Sequence, residues 1–167
     1  MEPLVTCAVR LRLASDGYPL HFRHWETESS PRGWCLMLHG VQSHSGWYES
    51  SCQRLAESGL NVRCPDRRGS GMNSQQRGHA VHHERLIQDV RHFLRDIHFE
   101  RGRSGNSGPV WLCGISWGGK LATAVARLNA DQVDGLILVT PGLIPKVRPG
   151  IVERTGLAGA RWLGYRK

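Results

Sequence analysis

Pro109-Val110-Trp111-Leu112-Cys113-Gly114-Ile115-Ser116-Trp117-Gly118-Gly119 decides how the rest of the chain is read. Its first half is a short apolar run with β-branched and aromatic residues, the pattern of a buried strand. Its second half is Gly114-x-Ser116-x-Gly118, after which Lys120 to Leu128 continues as a helix. A strand that turns sharply into a helix holds the residue at the turn in a strained conformation, and only glycine fits two residues to either side. That strain lifts the Ser116 hydroxyl above the sheet, at the positive end of the following helix. A tight turn with an idle serine is the plainer alternative, and the buried strand and alanine-rich helix on either side weigh against it.

Working outward, the chain alternates strands and helices. Cys7, Val9, Leu11 and Leu13 alternate with Ala8, Arg10 and Arg12, which predicts a half-buried strand, and Ser15-Asp16-Gly17 turns it into a second strand over Leu20 to Trp25. Trp34 to Leu38 is a continuous apolar run, as in a strand buried on both faces of a parallel sheet. A helix follows with Tyr48, Cys52, Leu55 and Ala56 at helical spacing and Gly59 near its C-terminus. Leu60 to Pro65 is a further strand, and Leu86, Val90, Phe93, Leu94 and Ile97 mark a long amphipathic helix. Beyond the serine helix, Leu136 to Val139 is another apolar strand ended by Pro141-Gly142, and a weakly amphipathic segment places Ile151, Thr155, Ala158 and Trp162 on one face. This order predicts an α/β fold with a mostly parallel sheet.

With 167 residues, 40% of them apolar and 22% charged, the chain is long enough for one domain with a substantial core and is too apolar for a disordered one. The net charge of +8 comes from 22 Lys+Arg, of which only Lys120, Lys146 and Lys167 are lysines. The arginines are scattered along the chain, which argues against a nucleic-acid partner. Their charge admits contact with an anionic membrane surface or substrate. No apolar run is long enough to span a bilayer, and Met1 to Thr6 lacks the features of a signal peptide. The five cysteines are scattered without a C-x-x-C, so buried free thiols in a reducing, cytoplasmic setting are expected.

Three loops together resemble the α/β-hydrolase fold, and within it the monoglyceride lipase, lysophospholipase and serine aminopeptidase branch. The residues that carry the resemblance are Leu38-His39-Gly40 with Trp47 and Tyr48, then Asp66-x-Arg68-Gly69-x-Gly71-x-Asn73, then Gly114-Ile115-Ser116-Trp117-Gly118-Gly119. It implies helices on both faces of the sheet and Ser116 as acyl nucleophile of a carboxylic ester hydrolase. The backbone N–H groups of Val41 and Trp117 would form the oxyanion hole, with His39, Gly40, Gly114 and Gly118 shaping the supporting loops. The expected substrate is a small acyl ester of monoacylglycerol or lysophospholipid type, with no cofactor or metal. Asp66 and Arg68 are read as bracing the turn beside the site.

One departure matters. The family order is serine, acid, histidine, yet no histidine follows His98, and beyond Ser116 the only acids are Asp131, Asp134 and Glu153. Asp131 and Asp134 precede the Leu136 strand, at its wrong end. The last two strands of the fold also lack counterparts. The expectation is therefore that residues 1–143 form the N-terminal part of a hydrolase domain, incomplete at its C-terminus, and that 144–167 begin a lid. The competing reading is a non-catalytic hydrolase-like binding protein that keeps the serine turn without its triad. His79, His82 and His83 crowd a loop, but their spacing lacks a metal-binding pattern and suits a solvated helix entry. Gly69-x-Gly71 lacks the third glycine of a dinucleotide loop. The oligomeric state is left open.

Overall fold

The computed structural model describes residues 5–27, 30–144 and 150–162. Six strands form one sheet in the order β1-β2-β4-β3-β5-β6: β1 (Val5–Leu13), β2 (Pro19–Thr27), β3 (Gly33–Leu38), β4 (Leu60–Pro65), β5 (Val110–Ile115) and β6 (Gly135–Val139). β1 and β2 are antiparallel, β2 joins β4 antiparallel, and β4, β3, β5 and β6 run parallel. The parallel strands need crossovers, and helices supply them: α1 (Glu49–Glu57) between β3 and β4, α2 (His83–Arg103) between β4 and β5, and α3 (Trp117–Leu128) between β5 and β6.

The helices lie on both faces of the sheet. On one face Val90, Phe93, Leu94 and Ile97 of α2 and Ala122 and Val125 of α3 pack against Leu20, Phe22, Leu36 and Leu112. Phe22 and Phe93 meet edge to face, 5.2 Å between ring centres, the geometry that the ring quadrupoles favour. On the other face Cys52 and Ala56 of α1 pack on Trp25, Cys35, Met37, Val62, Cys64 and Cys113. Four of the five cysteines are thus buried together as free thiols, and Cys7 alone is exposed. Burial takes the central strands completely: every residue of β3 is buried, as a strand covered on both sides requires.

β1 departs from its sequence pattern. Its apolar row is the exposed one: Val9, Leu11 and Leu13 are 54%, 55% and 63% accessible. An α-helix is about 10 Å across and strands are spaced about 4.8 Å, so one helix covers about two strands. The nine-residue α1 is centred on β4 and its neighbours and meets β1 only near its start, where Val5 joins the core, so Val9, Leu11 and Leu13 are left uncovered. At the opposite edge β6 is only partly covered, and none of its five residues is charged.

A fourth helix, α4 (Ile151–Trp162), occupies the tail, with Ile151 and Val152 exposed. The side chain of Trp162, named above for this segment, lies outside the described residues.

Candidate functional site

All three loops singled out above open at the C-terminal ends of parallel strands β3, β4 and β5, where open α/β sheets form their crevices. The turn after β5 is the strained one. Ser116 has φ 53° and ψ −116°, a conformation that side-chain-bearing residues rarely adopt. Tight packing of the turn maintains it. A Cβ on Gly114 would lie 2.6 Å from the Gly118 carbonyl oxygen and 2.7 Å from Ala122 Cβ, and one on Gly118 would strike the Leu38 and His39 carbonyl oxygens. Both glycines are therefore required by space. The turn is tied to its neighbours by Ser116 N–H donating to Val139 (3.0 Å) and by Gly142 N–H donating to the Ser116 carbonyl (3.2 Å).

Ser116 itself is exposed. Among the described residues its hydroxyl has no hydrogen-bond partner, and neither do the backbone amides of Trp117 and Val41. Gly40 lies against the serine: a Cβ there would sit 3.5 Å from Ser116 Cβ and 3.9 Å from Oγ. The structure thus brings together a free hydroxyl, two free amides and the loop that follows β3. A cleft of about 440 Å³ opens beside them, lined in part by Val41, Gln42, Arg67, Ser70, His79 and Trp117.

His39 supports this loop with its side chain, where the sequence suggested only a backbone contribution. Its Nδ1 donates to the Gly40 carbonyl at 2.8 Å, and its Nε2 accepts from Arg67 N–H at 2.9 Å. Both ring nitrogens are committed, in the neutral form. Burial pushes its pKa down to about 4, against a smaller upward pull from the Gly40 carbonyl, since a desolvated imidazole resists charging. His39 is a strut between the β3 and β4 loops and is not free to accept a proton from Ser116.

The β4 loop is held internally. The fully buried Asp66 carboxylate accepts Ser45 N–H at 2.6 Å and Met72 N–H at 2.9 Å. Asn73 Nδ2 donates to the Asp66 carbonyl at 2.6 Å. Gly71, at φ +55°, leaves the carboxylate room that any Cβ would fill. Arg68 is clamped between Asp16 and Asp89, with 2.8 to 2.9 Å contacts to both, and its guanidinium lies 4.4 Å from the Tyr18 ring centre. The Arg68 guanidinium holds the Asp16 carboxyl down at about 2. Asp66 and Arg68 therefore brace, as their pattern suggested.

The neighbouring Arg67 was not legible. Its guanidinium sits 4.5 Å from the Trp117 ring centre, and it donates to the Gly40 carbonyl at 3.3 Å and to Ser70 Oγ at 3.4 Å. Nothing in the local sequence distinguishes it from the surface arginines, because its neighbours come from β3 and α3. Of the remaining candidates, Asp134 accepts Val110 N–H at 2.8 Å, at the N-terminal end of β5 and thus at the opposite end of the sheet from Ser116. His82 caps α2 without a side-chain bond, and His83 pairs with Glu84 on the surface. Among the described residues no group of three His, Cys, Asp or Glu side chains is arranged to hold a metal ion, and no helix is long and apolar enough to cross a membrane.

A mixed, mostly parallel sheet with helices on both faces and a strained serine turn after β5 defines the α/β-hydrolase class. Residues 29–165 match the family described as serine aminopeptidase, S33, and the chain belongs to that family. It is 32% identical over 147 residues to an uncharacterized abhydrolase domain-containing protein of Dictyostelium discoideum, covering 88% of this chain and 15% of that protein. It is 29% identical over 130 residues to monoglyceride lipase of Homo sapiens, covering 76% and 41%. A soluble variant of monoglyceride lipase from Saccharomyces cerevisiae, solved with a substrate analogue, superposes with a TM-score of 0.73 at 21% identity over 81% of this chain and 44% of that one. That likeness establishes the fold. The chain spans less than half the length of these relatives.

Proposed function

We propose that Ser116 is the acyl-accepting nucleophile of a carboxylic ester hydrolase with monoacylglycerol- or lysophospholipid-like substrates. The reading is carried by one observation: a serine held at φ 53° with a free hydroxyl beside two backbone amides that lack acceptors among the described residues. Trp117 is half-buried, where an amide rarely goes unpaired unless something else fills the place, while Val41 is exposed at the mouth of the cleft. An oxyanion is such a partner. On this reading Ser116 Oγ attacks the ester carbonyl and its proton passes to a base. The carbonyl oxygen becomes an anion held by Val41 and Trp117, and the intermediate collapses to an acyl-enzyme as the alcohol leaves with that proton. Water then repeats the sequence and releases the acid. On this reading residues 144–167 begin a lid region, and the basic surface suits lipid-bearing interfaces.

On this reading Ser116, Val41 and Trp117 are the nucleophile and oxyanion hole, and His39, committed on both nitrogens, is not the base. The test is covalent labelling by a fluorophosphonate. Residues 1–167 on their own are expected to label slowly, because removing a triad member leaves only residual reactivity. Labelling should accelerate when imidazole is supplied as a diffusible base and disappear in Ser116→Ala. Labelling that is unchanged in Ser116→Ala overturns the assignment. No labelling under either condition favours the second reading, a hydrolase-like binding protein, for which the same lack of a base among the described residues speaks.

A further inference from the structure

The cleft beside Ser116 carries a charge that the hydrolysis of an uncharged ester does not use. Among its lining residues there is no Asp or Glu, while Arg67, Arg68 and His79 all contribute. Arg68 is neutralised by Asp16 and Asp89. Arg67 is different: among the described residues no carboxylate pairs with it. A guanidinium has five N–H donors in a rigid fork. Arg67 spends two of them on long contacts, 3.3 Å to the Gly40 carbonyl and 3.4 Å to Ser70 Oγ. Its stack on Trp117 fixes the plane of the fork without consuming a donor.

Holding a cation in a half-enclosed cleft without a counter-charge is costly. A guanidinium in such a place, oriented by an aromatic ring and with donors to spare, is the geometry that binds planar or tetrahedral anions. The stack also places this charge on Trp117, whose amide is one of the two assigned to the oxyanion.

We infer that Arg67 is a specificity-determining residue that recognises an anionic group, phosphate or carboxylate, carried by the ester substrate. The inference rests on the proposed hydrolase reading for its substrate, but it is tested by binding and not by turnover. The full-length protein carrying Ser116→Ala is titrated calorimetrically with a short-chain monoacylglycerol, with the corresponding acylglycerol phosphate and with the corresponding hemisuccinate. Inorganic phosphate alone serves as the fourth ligand. A charged hydrogen-bonding partner gained or lost changes affinity by about tenfold or more. The anionic ester is therefore expected to bind about tenfold or more tightly than the uncharged one, with a margin that shrinks as salt rises. Arg67→Gln should bring the ratio of anionic to uncharged ester affinity toward one, and Arg67→Lys should retain part of the margin.

A margin for the phosphate ester only, or for the hemisuccinate only, supports the inference and identifies the anion. Equal binding of charged and uncharged esters at every salt concentration, unaffected by Arg67→Gln, overturns it and leaves the hydrolase reading standing. Inorganic phosphate binding as tightly as the phosphate ester overturns it in favour of a free-anion site. Should Arg67→Gln disturb the loop and lose the uncharged ester too, the salt series with Arg67 intact decides: a margin insensitive to salt overturns the inference. Binding of none of the esters overturns both this inference and the lipid-ester substrate class, and Ser116 labelling by fluorophosphonate would then still report the hydrolase chemistry separately.

Discussion

The turns that follow β4 and β5 lie at the same end of the sheet, on either side of the loop after β3, and spend their polar groups in opposite ways. In the turn after β4, the Asp66 carboxylate, the Asp66 carbonyl and Asn73 are each tied to protein partners. In the turn after β5, a hydroxyl and an adjacent amide are left unpaired beside a cleft, and the backbone is strained. The first turn stabilises. The second holds groups in readiness at a cost in stability, which is where reactive residues are found. His39 and Arg67 join the two, so the braced turn fixes the geometry of the unbraced one.

The sharpest way to break this contrast is to remove the central group of each turn. Asp66→Ala strands the buried Ser45 amide and the half-buried Met72 amide and is expected to cost about 2–5 kcal/mol of unfolding free energy, as these donors lose their acceptor. Ser116→Ala should change stability by about 0.5 kcal/mol or less, or raise it, while abolishing fluorophosphonate labelling. Urea unfolding of both variants measures this, and a destabilised Ser116→Ala with an unaffected Asp66→Ala would reverse the assignment.

A second comparison uses two glycines near the serine, Gly118 in its own turn and Gly40 in the loop after β3. Gly118→Ala drives a Cβ into two backbone carbonyls, and overpacking of this kind should cost about 1–3 kcal/mol. Gly40→Ala places its Cβ at ordinary contact distance from Ser116 and should cost under about 1 kcal/mol. Gly40→Val, whose extra carbons extend toward the oxyanion position, should slow the imidazole-assisted labelling by about 10²-fold, the usual cost of a disrupted oxyanion donor, with its melting temperature little changed. Labelling of Gly40→Val at the normal rate would remove Val41 from its role.

Acid should reach the braced turn through the strut. Burial holds His39 at about 4 and, deeper in β2, His24 at about 3, against about 6.5 for an unfolded histidine. The unfolded chain therefore binds more protons between these values. The stability that neutral His39 and His24 contribute is complete above about pH 6.5 and is lost as pH falls toward 4, by up to about 1.4 kcal/mol per pH unit for each group. His24 is buried, and among the described residues neither of its ring nitrogens has a partner, so His24→Phe should remove its share and flatten the profile. Urea midpoints at pH 7 and pH 5 measure the difference, and identical midpoints would contradict the picture.

The parts of the fold visible in the sequence were those whose chemistry is local. The β5 run, the glycine spacing around Ser116 and the repeat of Leu86, Val90, Phe93, Leu94 and Ile97 each specify their element within one segment, and the structure places all of them as expected. β1 was misread because alternation shows that a strand has two unlike faces without showing which one is covered. That depends on how far α1 reaches, which no residue of β1 encodes. Asp66 and Arg68 could be read as braces because glycines at fixed offsets require a tight turn. Arg67 could not, since its partners Gly40 and Trp117 are distant in sequence and meet it only once β3, β4 and β5 align. His39 lay between these cases: its position was readable, but its double hydrogen bond depends on the backbone of another loop.

The thiols gathered beneath α1 give the molecule a clock for its own opening. Burial pushes the Cys113 thiol up to about 11 and Cys35 higher still, and a hydrogen bond with Cys52 raises Cys64, so in the closed fold little thiolate is present to react. Cys7, on the exposed row of β1, is the one thiol an alkylating reagent meets from solvent. Rapid consumption limited to one equivalent per chain therefore marks the closed fold, and the slower consumption of the other four measures how often α1 lifts from the sheet.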